Sequence, residues 1–253
     1  MRAPDSGVAM TVLGQSGIAL RAPTGELLLV DPYFSDYLRD ELGLARVAPV
    51  VLDPETTVVT TLVSTHWHPD HLDPPTCRAL ARSSPGMTFL APPGCVTRLR
   101  GWGIAQDRVI SMERGETATS GPFTVHAEYA RHDVPGWITE DAVSLVLEVS
   151  GIRVYHSGDT EYDARLRAAK RLGPFAVGLF VINGTGGNMN ALEAALLAHQ
   201  LEPALAVPVH YDLWAAEGYG PEATLDPGQF TATCERLGGP STRVLAVGET
   251  LEL

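Results

Sequence analysis

The sequence predicts an α/β fold, and three observations carry that prediction. Short apolar, β-branched runs recur through both halves of the chain. Helix-length segments alternate with them from residue 74 onward. A loop crowded with histidine and aspartate leaves one of the most apolar runs directly.

Residues 8–13, 17–21 and 26–31 are rich in Val, Leu and Ile, with Gly14, Gly17 and Gly25 as turn residues. They predict an antiparallel meander. Residues 37–54 are less regular, with Pro49 and Pro54 in them. The continuous β-branched run 57–64 (TVVTTLVS) has the pattern of a buried strand. Residues 74–83 predict a helix, with Pro75 acceptable in its first turn. A strand at 87–91, a helix at 93–102 and strands at 109–112 and 123–130 follow. Residues 142–149 and 153–156 predict a hairpin through Ser150 and Gly151. Helices are expected at 162–172, 191–199 and 227–237. Buried strands are expected at 177–182 and 205–209, and closing strands at 244–247 and 251–253. No repeat or low-complexity linker divides the chain, so residues 1–253 are expected to form one domain.

Composition narrows the function classes. Hydrophobic residues make up 45% and charged residues 19%, as in ordinary globular proteins. No apolar run approaches the roughly 18 residues of a membrane span. The start MRAPDSGVAM lacks the pattern of a signal peptide, so a cytoplasmic location is expected. The formal net charge of −12 argues against nucleic-acid binding, which needs a basic footprint. Lys170 is the sole lysine, so any anion pocket would depend on arginine or backbone N–H groups. Cys77, Cys95 and Cys234 are far apart without CxxC spacing, which reads as free buried thiols.

The chemistry concentrates in the segment STHWHPDHLD, where His66, His68, Asp70 and His71 fall within six positions. Neutral imidazole and carboxylate suit zinc, manganese or iron. A lone histidine is more often structural. A packed cluster of this kind is costly to bury without a cation, which favours a metal site. Trp67 between the histidines either shields the site or simply packs. Asp31, in LVDPYF, either holds a metal-loop group in place or caps a turn before Pro32. His156 is expected to support the turn at Asp159, while His126 and His199 read as structural. The loop Asn183-Gly-Thr-Gly-Gly-Asn188 carries no cationic residue and precedes a helix with Asn190 as its N-cap. Asn183, Asn188 and Tyr211 are candidate substrate contacts, the last with aromatic packing as its alternative.

The HxHxDH pattern of residues 66–71 resembles the metallo-β-lactamase superfamily. Its L-ascorbate-6-phosphate lactonase-like group is resembled through LVDPYFSD, WGIAQDRV, VYHSGDTEY and VPVHYDLW. The resemblance implies a four-layer αββα sandwich. It also implies further ligands at His132, Asp159 and His210. In that reading His66, His68 and His132 hold one ion, Asp70, His71 and His210 hold the other, and Asp159 bridges them. Two divalent ions, zinc by default and manganese from the group resemblance, would acidify a water held between them. The implied activity is hydrolysis of a lactone or related carboxylic ester, with Asp70 as catalytic residue orienting the water or accepting its proton. A small-molecule substrate and a homo-oligomer are expected. A small-molecule phosphodiesterase and a non-catalytic metal-binding protein are the competing readings.

Overall fold

The computed structural model describes residues 7–253. The leader-free reading of the N-terminus rests largely on residues 1–6, which lie outside the described residues. Among the described residues there are two seven-stranded sheets and one two-stranded ribbon. The first sheet holds β1 (Ala9–Gly14), β2 (Gly17–Arg21), β3 (Leu27–Val30), β4 (Thr61–Val63), β5 (Thr88–Ala91) and β6 (Val109–Ser111) in that order. The C-terminal strand β16 (Thr250–Glu252) pairs outside β1. The second sheet holds β7 (Thr117–Ser120), β8 (Phe123–Tyr129), β11 (Val143–Val149), β12 (Ile152–His156), β13 (Val177–Val181), β14 (Leu205–Val209) and β15 (Ser241–Thr242) in spatial order. The ribbon is β9 (His132–Val134) with β10 (Trp137–Thr139).

The inward faces of the two sheets share one core. Met10, Ile18, Leu28 and Val63 from the first sheet meet Val125, Leu145, Val154 and Leu179 from the second. Alternate residues of the same strands face outward. Ala19, Leu29 and Phe89 pack under α2 (Pro74–Ser83) and α3 (Pro93–Gly101). Val146, Tyr155 and Phe180 pack under α4 (Ala191–Leu201) and α5 (Pro227–Arg236). The period-2 alternation therefore serves two interfaces at once, which explains why these strands read as continuous apolar runs. The result is the αββα sandwich. A short helix α1 (Tyr37–Leu42) flanks the first sheet, with Leu38 packed beside Tyr33 and Trp214.

Several expectations are refined. In the run 57–64 only Thr61–Val63 is a strand, because its neighbours β3 and β5 are four residues each and the ladder ends with them. Val58, beyond the ladder, is exposed. Residues 244–247 are not a strand: there the chain crosses from β15 of one sheet to β16 of the other, and Leu245 drops into the core between them. The segment expected as an α-helix at 162–172 is a 3-10 helix over Ala164–Leu172. Its core contacts, Leu166, Ala169 and Leu172, are spaced by three, the period of that helix.

Connectivity delivers the chemistry to one edge. Strands β3 to β6 run parallel, as do β12 to β15. Strand β8 is antiparallel to β11, and β11 to β12, so β8 points the same way as β12. By the same logic β1 points with β3. The loops after β1, β3, β4, β8, β12, β13 and β14 thus open at the carboxyl ends of co-directional strands, where α/β sheets commonly place their sites. Among the described residues, no helix is long and apolar enough to cross a membrane.

Candidate metal centre

Those loops bring His66, His68, Asp70, His71, His132, Asp159 and His210 together. Three overlapping groups of donor atoms lie within 4.8 Å of one another: His66, His68 and His132; Asp70, His71 and His210; and His66, His71 and Asp159. Most of these side chains are buried, and Asp70, at 14% side-chain exposure, is the most open.

The hydrogen bonds decide which ring atom faces inward. His68 donates from Nε2 to the Trp137 carbonyl at 2.8 Å, which leaves Nδ1 inside, 3.1 Å from His132 Nε2. His132 in turn donates from Nδ1 to the Gly187 carbonyl at 3.2 Å. His71 Nδ1 lies 2.8 Å from Asp31 Oδ2, and its Nε2 lies 3.3 Å from both Asp159 Oδ1 and His210 Nε2. An outer partner of this kind fixes the tautomer and aim of a ligating imidazole. His66 Nε2 is buried with no hydrogen bond, and Asp159 Oδ1 has only the 3.3 Å charge contact with His71. Two buried acceptors without a hydrogen bond among clustered imidazoles fit a cation and are costly without one.

Charge follows the same geometry in the ion-free protein. Burial alone would lower the His210 pKa, but the Asp159 and Asp70 carboxylates outweigh it and push it up to about 9. His71 is raised well above its ordinary value against burial by Asp159, Asp70 and Asp31. Conversely, burial would raise Asp70 and Asp159, yet the facing His71 and His210 hold both well below the carboxylate range. His66 is driven well down by burial and by His71 and His68.

The supporting residues divide clearly. Asp31 accepts from Thr65 N and Thr65 Oγ1 as well as facing His71, so its carboxylate ties the start of the metal loop to one imidazole. His156 donates from Nε2 to the Ser16 carbonyl at 2.8 Å and accepts the Gly158 N–H at Nδ1 at 3.0 Å. It thereby braces the turn that presents Asp159. Gly158 is obligatory in that turn: its φ is +56°, and a Cβ would lie 2.7 Å from the Val143 carbonyl. Asn188 donates to Asp159 Oδ2 at 2.8 Å and lines the cavity together with Asn183. The glycine-rich loop therefore holds the site from behind, through Gly187 on His132 and Asn188 on Asp159. Tyr211 packs against the α4–α5 core, and Trp214 and Tyr219 line the cavity in its place. Trp67 stacks on Trp137 at 5.5 Å beneath Arg98, a packing role.

Gln15 is the residue that sequence reasoning missed. Its Nε2 donates to Asp70 Oδ2 at 2.9 Å and lies 3.0 Å from His210 Nε2. Tyr219 donates to its Oε1 at 2.9 Å, and its backbone carbonyl accepts the His210 N–H. Gln15, Asp31 and His210 also share a left-handed backbone, with φ of 54°, 44° and 70°. Such conformations cost about 1–2 kcal/mol for non-glycine residues and cluster at functional sites. The sole sequence signal was Gln15 lying between Gly14 and Gly17 in a turn.

An αββα sandwich with a histidine–aspartate cluster on one sheet edge defines a class of metal-dependent hydrolases. The chain belongs to the metallo-β-lactamase superfamily: the family model described as beta-lactamase superfamily domain matches residues 27–211. A curated relative, the "Probable L-ascorbate-6-phosphate lactonase UlaG" of Escherichia fergusonii, is 26% identical over 192 residues, covering 67% of this chain and 54% of the relative. The chain thus spans about half the length of the curated relatives it matches. Among solved structures, Igni18, a metallo hydrolase of Ignicoccus hospitalis, shares the fold with a TM-score of 0.75 at 22% identity, covering 98% of this chain and 99% of that one. CmlA, a diiron β-hydroxylase of Streptomyces venezuelae, does so with a TM-score of 0.73 at 18% identity, covering all of this chain and 55% of that one.

Proposed function

We propose that the protein hydrolyses a carboxylic ester or lactone at a centre of two divalent ions. The observation that carries this reading is the pair His66 Nε2 and Asp159 Oδ1, both buried without a hydrogen bond in the donor group of His66, His71 and Asp159, which shares one residue with each of the other two groups. His66, His68 and His132 would hold one ion, and Asp70, His71 and His210 the other, with Asp159 between. Zinc or manganese suits these donors, and iron also fits them. Ions bound there would supply acidification of a water and polarisation of the scissile carbonyl.

The protein's own groups supply orientation and proton handling. Gln15 and the two imidazole contacts all fall on Asp70 Oδ2, leaving Oδ1 free of hydrogen bonds. Held ionised by His71 and His210, Asp70 orients the attacking water and takes its proton at Oδ1. The buried surroundings lower the local dielectric and strengthen each of these contacts. The ester preference draws on the curated relatives' description as probable lactonases.

The test is metal analysis of protein purified without chelator, followed by assays of the loaded protein on parallel panels of lactones, esters and phosphodiesters. About two equivalents of ion and turnover confined to the carboxylic panel are expected. Preference for phosphodiesters would overturn the ester reading, and failure to take up any ion would overturn the enzyme reading. Asp70→Ala, loaded to the same metal content, should lose activity by about 100-fold or more.

A further inference from the structure

The cavity above the centre, about 310 Å³, has two unlike walls. The inner wall is polar and belongs to the metal cluster and the loop carrying Asn183 and Asn188. The outer wall is built from Leu38, Leu42, Leu44, Val134, Trp137 and Trp214. Among the described residues no Lys or Arg lines the cavity.

Nearby cations are already committed. Arg39 on α1 is paired with Asp36 at 3.1 Å and Asp40 at 3.2 Å. Arg46 donates to the carbonyls of Tyr33, Ala48 and Pro49. Arg131, beside His132 in the chain, is paired with Asp133 at 2.8 Å. The elements that carry the apolar wall instead expose Asp40, Glu41 and Glu217, on a chain of net charge −12. Two of the wall residues, Leu42 at 55% and Trp137 at 38%, are exposed large hydrophobics. Apolar surface left open at the mouth of a pocket is what a ligand's apolar group would cover.

We infer that this pocket selects uncharged lactones or esters bearing an apolar substituent and discriminates against phosphorylated ones. The inference rests on the hydrolase reading above and narrows it to a substrate class. A phosphate reaching the outer wall would lose its water without gaining a cationic side chain as partner. An alkyl group would cover Leu42 and Trp137 and gain with each carbon buried.

The test uses the metal-loaded protein and matched lactones of one ring size, with alkyl substituents of increasing length and with the same chains ending in a phosphate. The value of kcat/KM should rise by about fourfold per methylene over the first few carbons. The phosphate-ended partner should fall about 100-fold or more below its alkyl match. Leu42→Arg, a change at an exposed position, should move the phosphate-to-alkyl ratio of kcat/KM upward by about fivefold or more. A wild-type preference for the phosphorylated lactone, or a Leu42→Arg variant that scales both substrates equally, would overturn the inference while leaving the hydrolase reading intact. Turnover of no lactone or ester in the series would instead remove the carboxylic-ester reading, and this inference with it.

Discussion

Asp31 lies outside the three donor groups, yet three groups end on its carboxylate. The Thr65 N–H and hydroxyl lie 2.8 and 2.6 Å from its two oxygens, and His71 Nδ1 lies 2.8 Å away. Replacing it with asparagine keeps the volume but removes the charge that orients His71. Asp31→Asn should therefore weaken metal affinity by about 10–100-fold, measured by competition against a chromogenic chelator. An affinity within twofold of the wild type would show that the Thr65 contacts, not His71, are what Asp31 serves. Gln15 acts on a different link. It joins the β1–β2 turn to Asp70 and, through Tyr219, to the chain after β14. Gln15→Ala should retain most of the metal but lower kcat about tenfold, because Asp70 loses its fixed orientation. The comparison is made at equal metal content, so a loss of ions and a loss of aim are separated.

At the scale of elements, α4 shows how a local signal supports the site. Asn190 Oδ1 accepts from Leu192 N and Glu193 N, each at 3.0 Å, and Asn190 N donates to Glu193 Oε2 at 3.0 Å. This capping box fixes where the glycine-rich loop ends and the helix begins. Asn190→Ala should cost about 1 kcal/mol, seen as a fall of about 2–4 °C in Tm. Such features were legible because they depend on neighbours in sequence. The helix at Pro74–Ser83, the strand Gly17–Arg21 and the Ser150–Gly151 hairpin turn are of this kind. Ser150 and Gly151 both take positive φ, as a tight hairpin of this twist requires. The HxHxDH cluster was legible for the same reason. What the sequence could not reveal depends on partners far along the chain. The length of β4 is set by β3 and β5. The ribbon of β9 and β10 is three residues per strand and too short for alternation to register. Helix α1 is six residues, with Leu38 and Leu42 as its sole apolar spacing signal. Tyr211 and Tyr219 are both plausible aromatics near His210, and the fold after β14 alone decides that Tyr219 reaches the cavity.

Across the whole molecule, the same seven side chains must be tolerable both before and after an ion arrives, and pH is the variable that separates the two states. Without an ion, the Asp70 and Asp159 carboxylates favour the protonated forms of His71 and His210, and the imidazoles in turn favour the ionised carboxylates. His210, raised from an ordinary value of 6.5 to about 9, contributes stability that is fully present below pH 6.5 and is lost as pH rises through about 9. His71 is raised in the same direction and adds to the same loss. The two aspartates, lowered instead, contribute stability present above their unfolded values and lost only in acid. Ligation reverses the requirement on the imidazoles, because a ligating nitrogen must give up its proton. The Tm of chelator-treated protein should therefore fall between pH 6.5 and 9, while the gain in Tm on adding zinc should grow over the same interval. Zinc uptake near pH 7.5 should release protons from the His71 and His210 pair, counted by calorimetry in buffers of differing ionisation enthalpy. A chelator-treated Tm that climbs through this window, or uptake without proton release, would mean that the imidazoles are already neutral and that the carboxylates are not their partners before the ion binds.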